Sequence, residues 1–421
     1  MADPIELIAS KIVNEKKSVI LYGASWNAIF ILRELKSRYS IHPSAICDSD
    51  PLKQNKEIEG VRILSFDEAA RTYPDAYFYI TPLISKHQIM GQLISDKGIS
   101  EDQILNYEPI EKRKSCRLLE TTLISNGHTF QFCCPSFKNL SPLIAYDSGF
   151  SAPVEALIRM RDELVYDLNH SVPTPCDGCP NIMEDWFAAN RKVRTLTYGE
   201  VGTCNYKCCY CTSITKGNHL VPEAVTLPEL ITFLQENNIL EDDLRIEVAC
   251  GEISIYPKRK ELYKAIRGHF SFLLSNASVY DDEIARLIKE ERSVLNTSVD
   301  AGTRETYAKV KGYDLFEEVR TNLYRYANEG KKGSVELKYI FMPGINDTPA
   351  DINGFIELCR YVKPFSVQLS HDMFISGELP KQTADMAVQL ATNLEENGFL
   401  FSIISDKINC IWRERKSTCV G

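Results

Sequence analysis

Apolar positions along the first hundred residues follow two alternating patterns. Ser18–Ala24 (SVILYGA) is a short unbroken apolar run, and Ser25–Tyr39 then carries Ile29, Leu32 and Leu35 at helical spacing. Ser44–Cys47 leads into the acidic turn Asp48-Ser49-Asp50-Pro51, Ala76–Thr81 reads as another buried strand, and Ser85–Asp96 as a helix. Strands separated by helices of this length imply crossovers, so residues 1–108 are expected to form a small parallel-sheet domain.

Residues 109–190 break the rhythm. Strand signals are short, prolines recur at Pro135, Pro142, Pro153, Pro173, Pro175 and Pro180, and five cysteines punctuate the segment. Such a composition suits a small unit organised by a metal. From 191 to 421 alternation returns. Strands are expected at Thr195–Gly199, Leu244–Ala249, Phe270–Ser275, Val294–Val299, Val335–Met342 and Ser366–Ser370. Helical spacing lies between them at Leu227–Glu236, Arg259–Arg267, Asp281–Glu290, Leu315–Ala327, Ala350–Tyr361 and Lys381–Asn397. Six successive strand–helix units predict an α/β fold that closes as a partial, TIM-like (β/α)6 barrel, with chemistry at the carboxyl ends of its strands.

A chain of 421 residues exceeds one ordinary domain, and 44% apolar with 25% charged residues is a globular composition. The net charge of −9 argues against nucleic acid as a partner. No run of 18 apolar residues suggests a membrane span or signal peptide, so the cytoplasm is the expected address. The fourteen cysteines change the picture, because most fall in short clusters, and clustered thiols in a reducing compartment point to metal rather than disulfides.

Directly after the first barrel strand comes Gly202-Thr203-Cys204-Asn205-Tyr206-Lys207-Cys208-Cys209-Tyr210-Cys211. Thiols spaced by three and then two residues can wrap a loop around one corner of a cubane. A [4Fe–4S] cluster normally takes four thiolates, so three leave one iron open for a substrate or cosubstrate. Zinc is the other reading, but structural zinc wants four protein ligands. The spacing, with an aromatic residue before the last cysteine, resembles the signature of the radical S-adenosylmethionine (SAM) superfamily, over about Lys192–Leu400.

The resemblance implies more than the cluster ligands Cys204, Cys208 and Cys211. Cys250-Gly251-Glu252, ending the second strand, is similar to the Gly-Gly-Glu stretch that holds the SAM amino group, with Cys250 in place of the first glycine. Leu274-Ser275-Asn276-Ala277 looks like the Thr-Asn-Gly stretch, so Asn276 joins the cofactor-binding set. Ser298 and Asp300 end the fourth strand, where relatives bind ribose or the methionyl carboxylate region. Lys338 opens a segment similar to the one that packs against adenine, and Tyr210 is expected to lend its backbone carbonyl to adenine. In that family an electron from the cluster cleaves SAM, and a 5′-deoxyadenosyl radical abstracts hydrogen from the substrate. A reducing flavodoxin or ferredoxin is the implied electron donor. Cys250, near such a radical, is also a candidate hydrogen-atom donor.

A second set lies upstream. The Asn126-Gly127 dipeptide between apolar runs reads as a hairpin turn. That hairpin would bring Cys133 or Cys134 beside the Cys176-x2-Cys179 pair, and Cys116 completes four ligands. The pattern resembles SPASM-type auxiliary modules and implies a second [4Fe–4S] cluster. A zinc site and packed thiols remain the other readings. Cys47 and Cys359 sit in apolar patterns and are expected to be packed thiols.

The first domain keeps only Gly23 of the dinucleotide fingerprint, in Gly23-Ala24-Ser25-Trp26-Asn27-Ala28, although Asp48 stands where a ribose-binding acid would. Its sequence looks like Rossmann-like domains attached to sugar-modifying enzymes, which suggests a small-molecule substrate such as a nucleotide-linked sugar, or a docking role. The leading expectation is hydrogen abstraction from such a metabolite, followed by oxidation, epimerisation or elimination. The alternatives are a peptide-modifying maturase and a non-enzymatic iron–sulfur electron carrier or redox sensor.

Overall fold

The computed structural model describes residues 4–83, 85–126, 129–133, 144–145, 149–199, 201–211, 225–249, 251–290, 292–329, 334–372 and 375–418. Cys134, Cys250 and Cys419 lie outside them. The chain divides into two compact units, one of residues 1–122 and 159–192, the other of 123–158 and 193–421.

The first unit is built on a five-stranded sheet of β1 (Val19–Tyr22), β2 (Ala45–Cys47), β3 (Glu57–Ile58), β4 (Val61–Leu64) and β5 (Tyr77–Ile80), in the order β3-β4-β2-β1-β5. All neighbours run parallel except β3 and β4. Ile20, Ala45, Cys47, Leu64 and Phe78 form its buried core. The helix Trp26–Tyr39 connects β1 to β2, and the helix Phe66–Thr72 starts where the Ser65 hydroxyl accepts the Glu68 N–H. Cys47 behaves as the packed thiol expected of it, and burial pushes it up to about 12. In the same unit β6 (Ile110–Ser115) pairs antiparallel with β10 (Met183–Ala188).

In the second unit, β7 (Thr122–Asn126), β8 (Thr129–Gln131) and β9 (Ile144–Ala145) make an antiparallel edge. The hairpin expected at Asn126-Gly127 is therefore present. Next come β11 (Val193–Tyr198), β12 (Leu240–Val248), β13 (Phe270–Leu274), β14 (Ser293–Ser298), β15 (Val335–Phe341), β16 (Ser366–His371) and β17 (Leu400–Ile403). Each is parallel to the next, in sequence order, with helices at the crossovers. This is the expected partial barrel, extended by a seventh parallel strand and the helix Asp406–Thr418.

Local signals fix the helix starts. Thr226 and Glu229 form a reciprocal capping box for Leu227–Glu236, and Thr348 followed by Pro349 opens Pro349–Val362. Side chains on one face of β15 pack outward, with the Tyr339 ring 4.8 Å from the ring of Phe355 on that last helix. Glu336 and Lys338 alternate with Leu337 and Tyr339, so they belong to the inner face.

Candidate active site

The cysteine loop Val201–Cys211 leaves the carboxyl end of β11 and is held on two sides. On one side Gly251 permits close approach, because a Cβ there would lie 2.6 Å from the Thr203 carbonyl oxygen and 3.0 Å from its nitrogen. The φ of +94° at Gly251 also suits glycine. Next to it, the fully buried Glu252 ties three segments together. Its Oε1 accepts from the Ser254 N–H at 3.0 Å and from the Ser254 and Ser275 hydroxyls at 2.7 Å, and its Oε2 accepts from the Asn276 N–H. Burial raises its pKa, opposed by these hydrogen bonds. Asn276 Nδ2 then donates to Asn205 Oδ1 and Asn205 Nδ2 to Ser278 Oγ, both at 2.8 Å, which reaches back into the cysteine loop.

On the other side the Lys207 and Cys209 N–H groups donate to the carbonyls of Lys311 and Val310, at 3.1 and 2.9 Å. These close the helix Arg304–Lys311, which ends at Gly312 with φ +78°. The Lys311 ammonium lies 2.6 Å from Asp300 Oδ2 and donates to the Tyr210 hydroxyl at 2.7 Å. Tyr210 in turn donates to Asp300 Oδ2 at 2.7 Å, while Asp300 Oδ1 accepts the Ile340 N–H at 2.8 Å. Asp300 adopts φ +60° without being glycine, and Asn346 Nδ2 secures that turn by donating to its carbonyl at 2.8 Å. Burial first, and Asp300 second, hold the Tyr210 phenol protonated.

The expected ligands share one microenvironment. Cys204, Cys208 and Cys211 are within electrostatic range of one another, and burial raises the thiols of Cys204 and Cys208, the latter to about 11 against the pull of Lys311. Cys209 is different: its exposed sulfur lies 3.6 Å from Met342 Sδ. Among the described residues no three Cys, His, Asp or Glu side chains already form a closed metal cage. The donor chemistry of the loop nonetheless fits an iron–sulfur cluster, since it offers three thiols on one short segment pinned at both ends.

Of the remaining expected residues, Ser298 ends β14 in register with Lys338 on β15, and Asp300 follows two residues later. Sequence reasoning missed Lys311, Asn205 and Asn346. Lys311 lies 101 residues from Tyr210, so no local motif announces it.

In the first unit, Cys116, Cys176 and Cys179 form a second neighbourhood. Cys116 Sγ accepts the Leu119 N–H at 3.4 Å as a helix cap. Burial pushes Cys176 up to about 11, with Cys116 and Cys179 adding to the rise. Cys133 is buried in the second unit.

With this geometry in hand, residues 201–359 match the radical SAM superfamily. No curated protein matches the chain. Among solved structures, it is similar to Streptococcus suis SuiB at 13% identity and TM-score 0.41, over 62% of this chain and 56% of that one. It is similar to a radical SAM methyltransferase from Sphaerobacter thermophilus at 14% identity and TM-score 0.37, over 49% and 65%. A third is anSMEcpe with bound AdoMet and a peptide, at 16% identity and TM-score 0.40, over 50% and 62%. The chain thus spans little more than half the length of SuiB.

Proposed function

We infer, from the premise that residues 201–359 of this chain are a radical SAM domain, that the protein cleaves SAM reductively and abstracts hydrogen from a small polar metabolite, a sugar or nucleotide-linked sugar. When bound, the [4Fe–4S] cluster and SAM together supply the electron transfer and the radical. The chain's own residues do the rest. Cys204, Cys208 and Cys211 would hold three irons, and Glu252 with Asn276 would fix the floor on which the amino group of SAM is received. Ser298 would meet its ribose or carboxylate region, with Gly251 and the Tyr210 carbonyl on the cluster side, while the sealed Asp300 braces the loop from behind. The Asp300–Lys311–Tyr210 knot keeps the loop rigid, so that little reorganisation remains when the cofactors bind. Cys116, Cys176 and Cys179 serve a second cluster, and a flavodoxin or ferredoxin supplies electrons.

One observation carries this reading. Cys204, Cys208 and Cys211 lie on one short loop within electrostatic range of one another, while Cys209 Sγ lies 3.6 Å from Met342 Sδ, so a cluster held by those three would keep one iron without a thiolate from this loop. Anaerobic reconstitution followed by dithionite reduction tests it. About eight irons per chain supports two clusters and about four supports one. Formation of 5′-deoxyadenosine is the expected product, and its absence would overturn the assignment. Turnover screened against nucleotide-linked sugars and against peptides then decides the substrate class. Consumption of peptides alone would move the protein to the peptide-modifying enzymes.

A further inference from the structure

The inner face of a TIM-like barrel is ordinarily filled by branched apolar side chains. Here the inner face of the second unit's sheet mixes apolar residues such as Phe272 and Val294 with polar and charged ones, and several of those charges are matched. Arg245 pairs with Glu247 at 2.6 Å. Glu336 accepts from Asn296 Nδ2 at 2.8 Å, from Gln368 Nε2 at 2.6 Å and from the Ser366 hydroxyl. Lys338 is not among them. Among the described residues its ammonium makes no hydrogen bond and no ion pair, although it is half-buried in the middle of the sheet. Burial lowers its pKa, while Asp300 and Glu336 at longer range favour the charged form.

The obvious carboxylates are already committed. Asp300 is taken by Lys311 and Tyr210, and Glu336 is surrounded by three donors. Lys338 stands in register between Ser298 and Gln368, a hydroxyl and an amide residue on the two flanking strands. A half-buried cation whose nearest carboxylates act only at longer range and are engaged by other donors is costly to maintain.

We propose that Lys338 is the anion anchor of the substrate pocket, and that the substrate is an oxygen-rich small molecule bearing a phosphate or carboxylate group. Gln368, in register with Lys338 on the neighbouring strand, stands beside the point where that group docks. The assignment rests on the radical SAM reading of this domain and narrows its substrate class. It also separates Lys338 from the cofactor-binding set: the lysine meets the substrate, not SAM.

The test is calorimetric titration of the reconstituted, SAM-saturated protein with inorganic phosphate, citrate, UDP-glucose and the neutral sugar maltose. Phosphate-bearing or carboxylate-bearing probes bind and maltose does not, and which of the two binds tells the sources apart. Lys338→Met weakens the bound anion by about tenfold or more, while Lys338→Arg stays within about threefold of the parent. Lys338→Gln, with a thermal melt, serves if the methionine variant does not fold. Unchanged anion affinity in the neutral variants, no anion binding at all, or displacement of the anion as SAM is raised would each overturn the proposal. Peptide binding in place of the small anions would do the same. Uncoupled 5′-deoxyadenosine formation by the same unmodified preparation checks the parent reading separately: its absence sinks the function, whereas its presence without anion binding sinks only this assignment.

Discussion

Asp48 and Asp300 are the same residue type in the same topological place, just beyond a parallel strand, and they do different work. Asp48 follows β2 and accepts the Ala24 N–H at 2.8 Å, the Lys53 ammonium at 3.0 Å and the Asp50 N–H at 2.9 Å. All three lie in turns at one end of the five-stranded sheet, and the Lys53 side chain keeps 35% of its exposure. The carboxylate that sequence position marked as a ribose ligand is thus engaged in tying these turns together, and a Cβ at Gly23 would lie 2.4 Å from the Pro82 ring. Asp300 follows β14 and gathers partners from the cysteine loop, a helix end and β15, with Lys311 and Asp300 sealed at 3% and 0% side-chain exposure. An acid at a strand end is therefore no ligand by position alone. Its partners decide whether it braces a turn or wires a reactive loop to the frame.

The sharpest contrast between the two units is in iron. Cys208→Ala should remove about four irons per chain and abolish 5′-deoxyadenosine formation, whereas Cys176→Ala should cost a similar amount of iron from the other unit. An electron paramagnetic resonance signal that responds to SAM should vanish in the first variant and persist in the second. If both variants lost that signal, the two cysteine sets would not be separate centres.

The two aspartates come next. Asp300→Ala strands a buried ammonium and should cost about 3–5 kcal/mol by chemical denaturation. Asp48→Ala removes the acceptor of two backbone N–H groups and the ion-pair partner of a half-exposed lysine, and should cost about 1–3 kcal/mol. Equal losses would show that the Asp300 knot is no tighter than an ordinary turn. A smaller effect is expected from Tyr210→Phe, which deletes one hydroxyl but leaves the Lys311–Asp300 pair: about 1 kcal/mol, measured in the same denaturant series.

Legibility followed the reach of the signals. Six barrel strands and most of the helices between them were readable because each carries its own apolar pattern, and their ends agree with the structure within a few residues, but the short, charge-rich helix Arg304–Lys311 was missed. The strand β17 was missed too, since Leu400–Ile403 is only four residues long and is followed by a helix rich in charge. The 19-residue helix Ser151–Asn169 was hidden by neighbouring prolines and cysteines, although Val154, Leu157, Arg161, Val165 and Leu168 are buried at helical spacing. Pro153 does not oppose that helix, because it stands in the first turn, where no intrahelical donor is lost. At the site, the cysteine spacing is local and was legible. Lys311 becomes visible only once the fold has brought a helix end under the cysteine loop.

The weakest expected effect probes the inner face itself, against a first unit whose sheet core is apolar. Burial, opposed by hydrogen bonds from Ser366 and Asn296 and by the charges of Arg245 and Lys338, raises the Glu336 pKa above its ordinary 4.5. With the folded value above the unfolded one, the native state binds the extra proton between them, so this residue's contribution to stability falls as pH rises from about 4.5 through the folded value. The slope from one such group is at most about 1.4 kcal/mol per pH unit. Glu336→Gln keeps an oxygen to accept from Asn296 and Gln368, with its amide donating to the Ser366 hydroxyl, but removes the ionisation. Stability measured against pH should therefore be flatter in the variant across that window, with the two curves converging at its acid end. Parallel curves would mean that Glu336 titrates as it does in water, and that the inner face is wetter than its hydrogen bonds indicate.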